Sequence, residues 1–150
     1  FAWFDWWEEE GEGWQGDDGA AHDDLTPDEA AALVSTVFAS LGDEHPPAVV
    51  FDVPDDGHVI GHQIDVAAFY RSTDDTLHFH PTIALRRWTV LHEIAHSMRP
   101  RDGHGPQFRG VLVALIEAHY GDRAGSVLLA AFDDHELDVD EDWLESTRPT

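Results

Sequence analysis

The chain has 150 residues, a length that suits one domain able to bury its own core, and it contains no Cys, which excludes a disulfide scaffold and a thiolate metal site. Its net charge of -23 comes from 31 acidic residues against eight basic ones, every one of them Arg. Affinity for phosphate groups rests on Lys and Arg, so direct nucleic-acid binding and attachment to anionic membranes are not expected.

Residues 1–24 mix Trp3, Trp6, Trp7 and Trp14 with acidic residues and Gly, a composition expected of a poorly ordered segment. The opening Phe-Ala-Trp-Phe-Asp-Trp-Trp is too short and too acidic for a signal peptide. No apolar run reaches the length of about 18 residues that a transmembrane helix needs, and the cytoplasm is the expected location.

A domain is expected over residues 25–137. Thr26 and Glu29 form a capping box and Pro27 takes the first helical position, so a helix starts here. Ala30, Leu33, Val34, Val37, Phe38 and Leu41 follow helical spacing, and Gly42 suits the end. Ala48 to Val53, rich in Val and bounded by Pro and Gly, is expected to be a strand. His58 to Ile64 and Val66 to Tyr70 fit two strands or one strand broken at Gly61. Thr76 to His80 alternates Leu77 and Phe79 with His78 and His80, the period-two pattern of a half-buried strand.

From Thr82 to Met98 the apolar residues Ile83, Leu85, Trp88, Leu91, Ala95 and Met98 recur at helical spacing, and Pro100 stops the pattern. Gly103 and Gly105 flank His104 in the loop that follows. Helix resumes near Pro106, with Phe108, Val111, Leu112, Leu115 and Ile116 on one face and Gly121 at its end. A last helix is expected over Asp122 to Asp134, carrying Val127, Leu128, Leu129 and Phe132, and residues 138–150 are expected to be a weakly ordered acidic tail.

The second of these helices carries His-Glu-Ile-Ala-His. At 3.6 residues per turn, His92 and His96 stand about 40° apart on one face, so both imidazoles reach one metal ion. Glu93 is about 100° further round, beside the metal rather than on it, where a zinc hydrolase needs a carboxylate to take a proton from the attacking water. Two ligands are too few, because catalytic zinc keeps three from the protein. His104 is the first candidate for the third, with Glu117 and His119 on the downstream helix as rivals. Thr89, Val90, Leu91, Ile94, Ala95, Ser97 and Met98 are uncharged, as befits a helix that crosses the core beneath a metal.

Taken with the strand Thr76 to His80, the run Trp88 to Met98 and the segment Asp102-Gly103-His104-Gly105-Pro106-Gln107-Phe108, this order resembles the zincin metallopeptidases, in particular the SprT-like branch. It is similar also to small actinobacterial and phage-type metallohydrolases in which Ile-x-Leu precedes the zinc helix, as Ile83-Ala84-Leu85 does. The resemblance spans residues 26 to 135 in layout and about 30 residues in motif. It implies an α+β, minimal zincin-like fold: an N-terminal helix, a small mixed sheet of three to four strands, the zinc-motif helix, then C-terminal helices.

It also implies one zinc ion on His92, His96 and His104, Glu93 as the catalytic base, and a peptide or protein substrate. His78 and His80 are then candidates for the cleft edge, Arg109, Tyr120 and Tyr70 for oxyanion stabilisation, and Asp102 for orienting a ligand imidazole. His22, His45, His58, His62 and His135 are expected to be ordinary surface residues. The gap from His96 to His104 is longer than in metzincins, and the basic surface or zinc ribbon of SprT-like proteases that act on DNA is missing, so neither feature carries over. The function expected is zinc-dependent peptide hydrolysis. The alternative is a zinc-binding module of the same fold without catalysis, and a nuclease is disfavoured by the acidic field.

Overall fold

Thr26 opens the first helix by the exchange its spacing from Glu29 predicts. Its hydroxyl accepts from the Glu29 N–H at 3.2 Å, and the Glu29 carboxylate accepts from the Thr26 N–H at 3.0 Å, satisfying two donors left over at a helix start. In the computed structural model, which describes residues 24–43, 45–54, 58–59, 62–63, 68–82 and 85–140, this helix, α1, runs Pro27–Ser40 after a short strand β1 (Asp24–Leu25). Gly42, at φ +70, supplies the left-handed residue that ends it. Ala30, Val34, Val37 and Phe38 are buried, whereas Leu41, the residue that follows the last turn, is exposed.

The strands are β2 (Ala48–Val50), β3 (His58–Val59), β4 (His62–Gln63), β5 (Ala68–Arg71), β6 (Thr76–Phe79) and β7 (Leu85–Arg86). A mixed three-stranded sheet has the order β2-β6-β5, with β2 parallel and β5 antiparallel to β6. Two further antiparallel ribbons pair β1 with β7 and β3 with β4. The fold is therefore α+β with a small mixed sheet, as expected. The helices that follow are α2 (Arg87–Met98), α3 (Pro106–Tyr120) and α4 (Asp122–Asp134).

Three local expectations are corrected. The ladder of β2 stops at Val50 rather than Val53, although the Val53 N–H still bonds the Phe79 carbonyl at 3.2 Å. The helix expected from Thr82 begins at Arg87, because Leu85 and Arg86 extend to pair with β1 and Leu85 buries itself opposite Leu25. Apolar spacing at 85 and 88 fits either conformation, and the partner strand decides between them. Finally, β6 is buried on both faces rather than half-buried. It is the central strand, and His78 is covered by a stacked Phe69 ring at 4.5 Å.

The core gathers Leu77 and Phe79 of β6, the buried side of α1 and the apolar side of α2, and it continues between α2, α3 and α4. Gly125 lets α4 approach α3 closely, since a Cβ there would stand 2.8 Å from the Glu117 Cβ. Residues 138–140, expected to begin the loose tail, run back along α3. Leu137 and Val139 pack on the core, and the Asp140 N–H bonds the Pro106 carbonyl at 3.0 Å. Among the described residues no helix is long and apolar enough to cross a membrane. Residues 1–23 and 141–150, with most of the acidic Trp-rich segment and the acidic tail, lie outside the described residues.

Candidate metal centre

The buried side of α2 is its uncharged side: Val90, Leu91, Ile94, Ala95 and Met98 are each at most 1% exposed. Anchored this way, the helix turns His92 and His96 toward a cleft between α2, β5 and the loop that leads to α3. The rings stand 4.8 Å apart between centroids, and their Nε2 atoms are 3.1 Å apart.

The loop brings in the third imidazole. Asp102 N–H bonds the Arg99 carbonyl at 3.2 Å and Gly105 N–H bonds the Asp102 carbonyl at 2.9 Å, with Gly103 at φ +60 making the reversal. The Asp102 carboxylate accepts from the N–H groups of Gln107 and Phe108 at 2.9 and 3.0 Å, so it caps the first turn of α3. It was expected to orient a ligand imidazole; the Gln107 and Phe108 amides at the start of α3 claim it instead. Gly105 is required for this closeness, because a Cβ there would lie 2.6 Å from the Asp102 carboxylate.

Held thus, His104 places its Nε2 3.0 Å from that of His96, and the ligand atoms of His92, His96 and His104 all lie within 4.8 Å of one another. Phe108 forms the floor, fully buried, with its ring 5.1, 4.4 and 4.9 Å from those of His92, His96 and His104.

This donor set fits a metal ion. A neutral imidazole nitrogen either donates one proton or offers one lone pair, so the His96 Nε2 cannot satisfy both neighbours by hydrogen bonding. A cation among the nitrogens satisfies all of them. Bonds of about 2.0–2.1 Å at a tetrahedral angle set zinc-bound nitrogens about 3.3 Å apart, close to the 3.1 and 3.0 Å that separate the His96 Nε2 from those of His92 and His104.

Electrostatics favours the same state. Burial holds His92 well below the ordinary histidine range, with His96 and then His104 adding repulsion. Burial, followed by His104, lowers His96 to about 4. His104 is lowered by burial and next by the Arg109 charge. All these rings therefore stay neutral, the form that binds metal.

Glu93 sits beside the cluster, its Oε1 4.0 Å from the His92 Nε2. The side chain is buried, the backbone N–H of Tyr70 on β5 bonds its carboxylate, and burial pushes its pKa up to about 8. The cleft above has a volume of about 360 Å³, with Phe69, Tyr70 and Trp88 among its walls.

The other candidates fall outside the cluster. Glu117 is exposed on α3 and packs against Gly125, and His119 is half-buried near Arg87. The His78 Nδ1 pairs with the Asp52 carboxylate at 2.6 Å, and the His80 Nδ1 accepts from the Thr82 N–H at 3.1 Å, so neither lines the cleft. Tyr70 does line it, but its hydroxyl donates to Asp75 at 2.7 Å. Arg109 is buried beneath the His104 loop and Tyr120 packs at the core margin, away from the cleft wall. His45 and His135 are surface residues as expected; His22 and the side chains of His58 and His62 lie outside the described residues.

Sequence reasoning missed the Tyr70 backbone donor to Glu93 and the capping role of Asp102. A main-chain N–H on a separate strand leaves no residue-type signal; an Asp shortly before Pro106 was a signal available to find the cap. No family model, curated protein or solved structure matches the chain.

Proposed function

We propose that this chain is a zinc-dependent hydrolase acting on extended peptide, a metalloendopeptidase of the SprT-like zincin kind, with His92, His96 and His104 as ligands of one zinc ion and Glu93 as general base. The observation that carries this reading is the meeting of three neutral imidazole nitrogens with a separate buried carboxylate, 4.0 Å from one of them, in the wall of an open cleft. The order of α1, small sheet, His-Glu-Ile-Ala-His helix and histidine loop supports the family resemblance.

Zinc held there would supply Lewis acidity toward the scissile carbonyl and make water easier to deprotonate. Glu93 takes the proton of the attacking water and returns it to the leaving amine nitrogen. The Tyr70 N–H fixes the carboxylate for that transfer. Phe108 keeps the inner side of the imidazoles dry and fixes their orientation. Phe69 and Tyr70 bring β5, an outer strand of the described sheet, to the cleft, which suits a substrate main chain lying extended.

An extended-peptide library incubated with zinc-loaded protein tests this. Cleavage should stop on chelation and in Glu93→Gln, while that variant still binds one equivalent of zinc. Cleavage that persists in the variant rejects the mechanism. A second reading, a zinc-binding module without catalysis, draws on the burial of Glu93, and it predicts zinc binding with no cleavage under any condition.

A further inference from the structure

Arg109 occupies an unusual position for a charged residue. It is 9% exposed, on the first turns of α3, directly under the loop that carries His104. Its Nη1 donates to the His104 carbonyl at 2.5 Å and its Nε donates to the Asp138 carbonyl at 2.7 Å. Its guanidinium lies 5.9 Å over the ring of Phe132 on α4. One planar fork thus joins the metal loop, α4 and the chain beyond α4.

That last segment is held independently. The Asp140 N–H bonds the Pro106 carbonyl, and the Asp140 carbonyl lies so close to Gly110 that a Cβ at 110 would collide with it. Gly110 is a poor helix former in the middle of a helix, and its place is explained by this close approach of another backbone. Residues 138–140 therefore form a strap across the start of α3, with Arg109 as its link to His104.

We infer that Arg109 is a positioning residue for the metal centre: by tying the His104 backbone to the 138–140 strap, it holds the third imidazole in ligand geometry, so that the chain past α4 sets metal affinity. This rests on the reading of His92, His96 and His104 as the metal site. His104 needs such a tether because it is exposed and comes from a loop, whereas His92 and His96 are fixed by a buried helix. A ligand left free to move binds less well, since ordering it then opposes binding.

The test measures zinc affinity of the full chain by chelator competition, with the absorption spectrum of the cobalt-substituted protein as a readout of coordination geometry. Arg109→Met keeps most of the side-chain volume and removes the donors. Gly110→Ala leaves Arg109 untouched, improves helix propensity and displaces the strap. Both variants should weaken zinc by about 10–100-fold, as loss of an outer partner of a metal ligand does, and change the cobalt spectrum. In a His104→Ala background Arg109→Met should add no further loss, because Arg109 acts through His104.

Wild-type affinity and an unchanged spectrum in Arg109→Met overturn the inference, as does an equal loss with and without His104. Should Arg109→Met fail to fold by circular dichroism, Gly110→Ala decides: wild-type affinity there overturns it. If the wild-type chain binds no zinc, the metal reading has failed and this inference falls with it. Zinc binding by wild type with no effect of either variant rejects the tether alone.

Discussion

The Nε2 of His104 lies 3.0 Å from the Nε2 of His96, although one belongs to an exposed loop and the other to a helix packed in the core. The contact is made by a loop that reverses at Gly103 and is locked by the Asp102 carboxylate on the first amides of α3. It brings His104, and not Glu117, to the other two imidazoles, and on the zinc reading that makes His104 the third ligand. Replacing His104 with Ala should lower zinc affinity by more than the about 10–100-fold typical of outer-partner loss, whereas Glu117→Ala should leave it unchanged. Chelator competition reads both; the reverse ranking would transfer the ligand role to Glu117.

Phe108 is fully buried and touches all three imidazole rings, so it serves the core and the histidine cluster together. Phe108→Ala should cost about 3–5 kcal/mol of stability in a denaturant titration, from lost burial and the cavity left behind. It should also weaken zinc binding, since the rings lose the surface that orients them. Phe108→Leu should recover much of the stability. A loss of stability below about 1 kcal/mol in Phe108→Ala would contradict this packing role.

Glu93 gives the metal-free protein an alkaline sensitivity. Its folded pKa is raised to about 8 from 4.5, so the folded state keeps a proton that the unfolded chain releases, and stability falls as pH rises across that window. His92, His96 and His104 act on the acid side. Their folded values lie below 6.5, with His96 at about 4, so the unfolded chain takes up protons that the folded one refuses, and stability falls as pH drops below 6.5. Glu93→Gln removes only the alkaline limb. The melting temperature of the metal-free variant should exceed that of wild type at pH 8, and the gap should close at pH 5. A gap of the same size at both pH values would show that Glu93 is not protonated in the folded protein.

Asp102 should behave as a helix cap. Asp102→Ala leaves the Gln107 and Phe108 amides without their acceptor and should destabilise the protein by about 0.5–2 kcal/mol. Asp102→Asn, which keeps an acceptor oxygen, should recover part of that loss. Paired zinc titrations separate capping from direct ligation: capping predicts a moderate loss of affinity through the loop, smaller than that of His104→Ala.

Much of the helical part was legible because its signals are local. Pro106 and Gly121 bracket α3, and the expected Asp122–Asp134 helix is the one found, since capping chemistry and 3.6-residue periodicity depend on neighbours in sequence. The sheet was less legible. Leu85 and Arg86 carry a pattern that fits helix as well as strand, and it was pairing with Asp24 and Leu25, about 60 residues earlier, that made them a strand. The alternation in β6 correctly marked a strand but not its double-sided burial, which follows from lying between β2 and β5.

The same division runs through the candidate site. The sequence alone determined that His92 and His96 share a helical face with Glu93 beside them, because i and i+4 side chains converge whatever surrounds the helix. Only the tertiary structure decided that His104 rather than Glu117 joins them, that Asp102 serves α3, that the Tyr70 N–H holds Glu93, and that Arg109 links His104 to residue 138. Each of those depends on where a loop closes or which backbone group arrives within about 3 Å, and that is set by the packing of distant elements rather than by spacing along the chain.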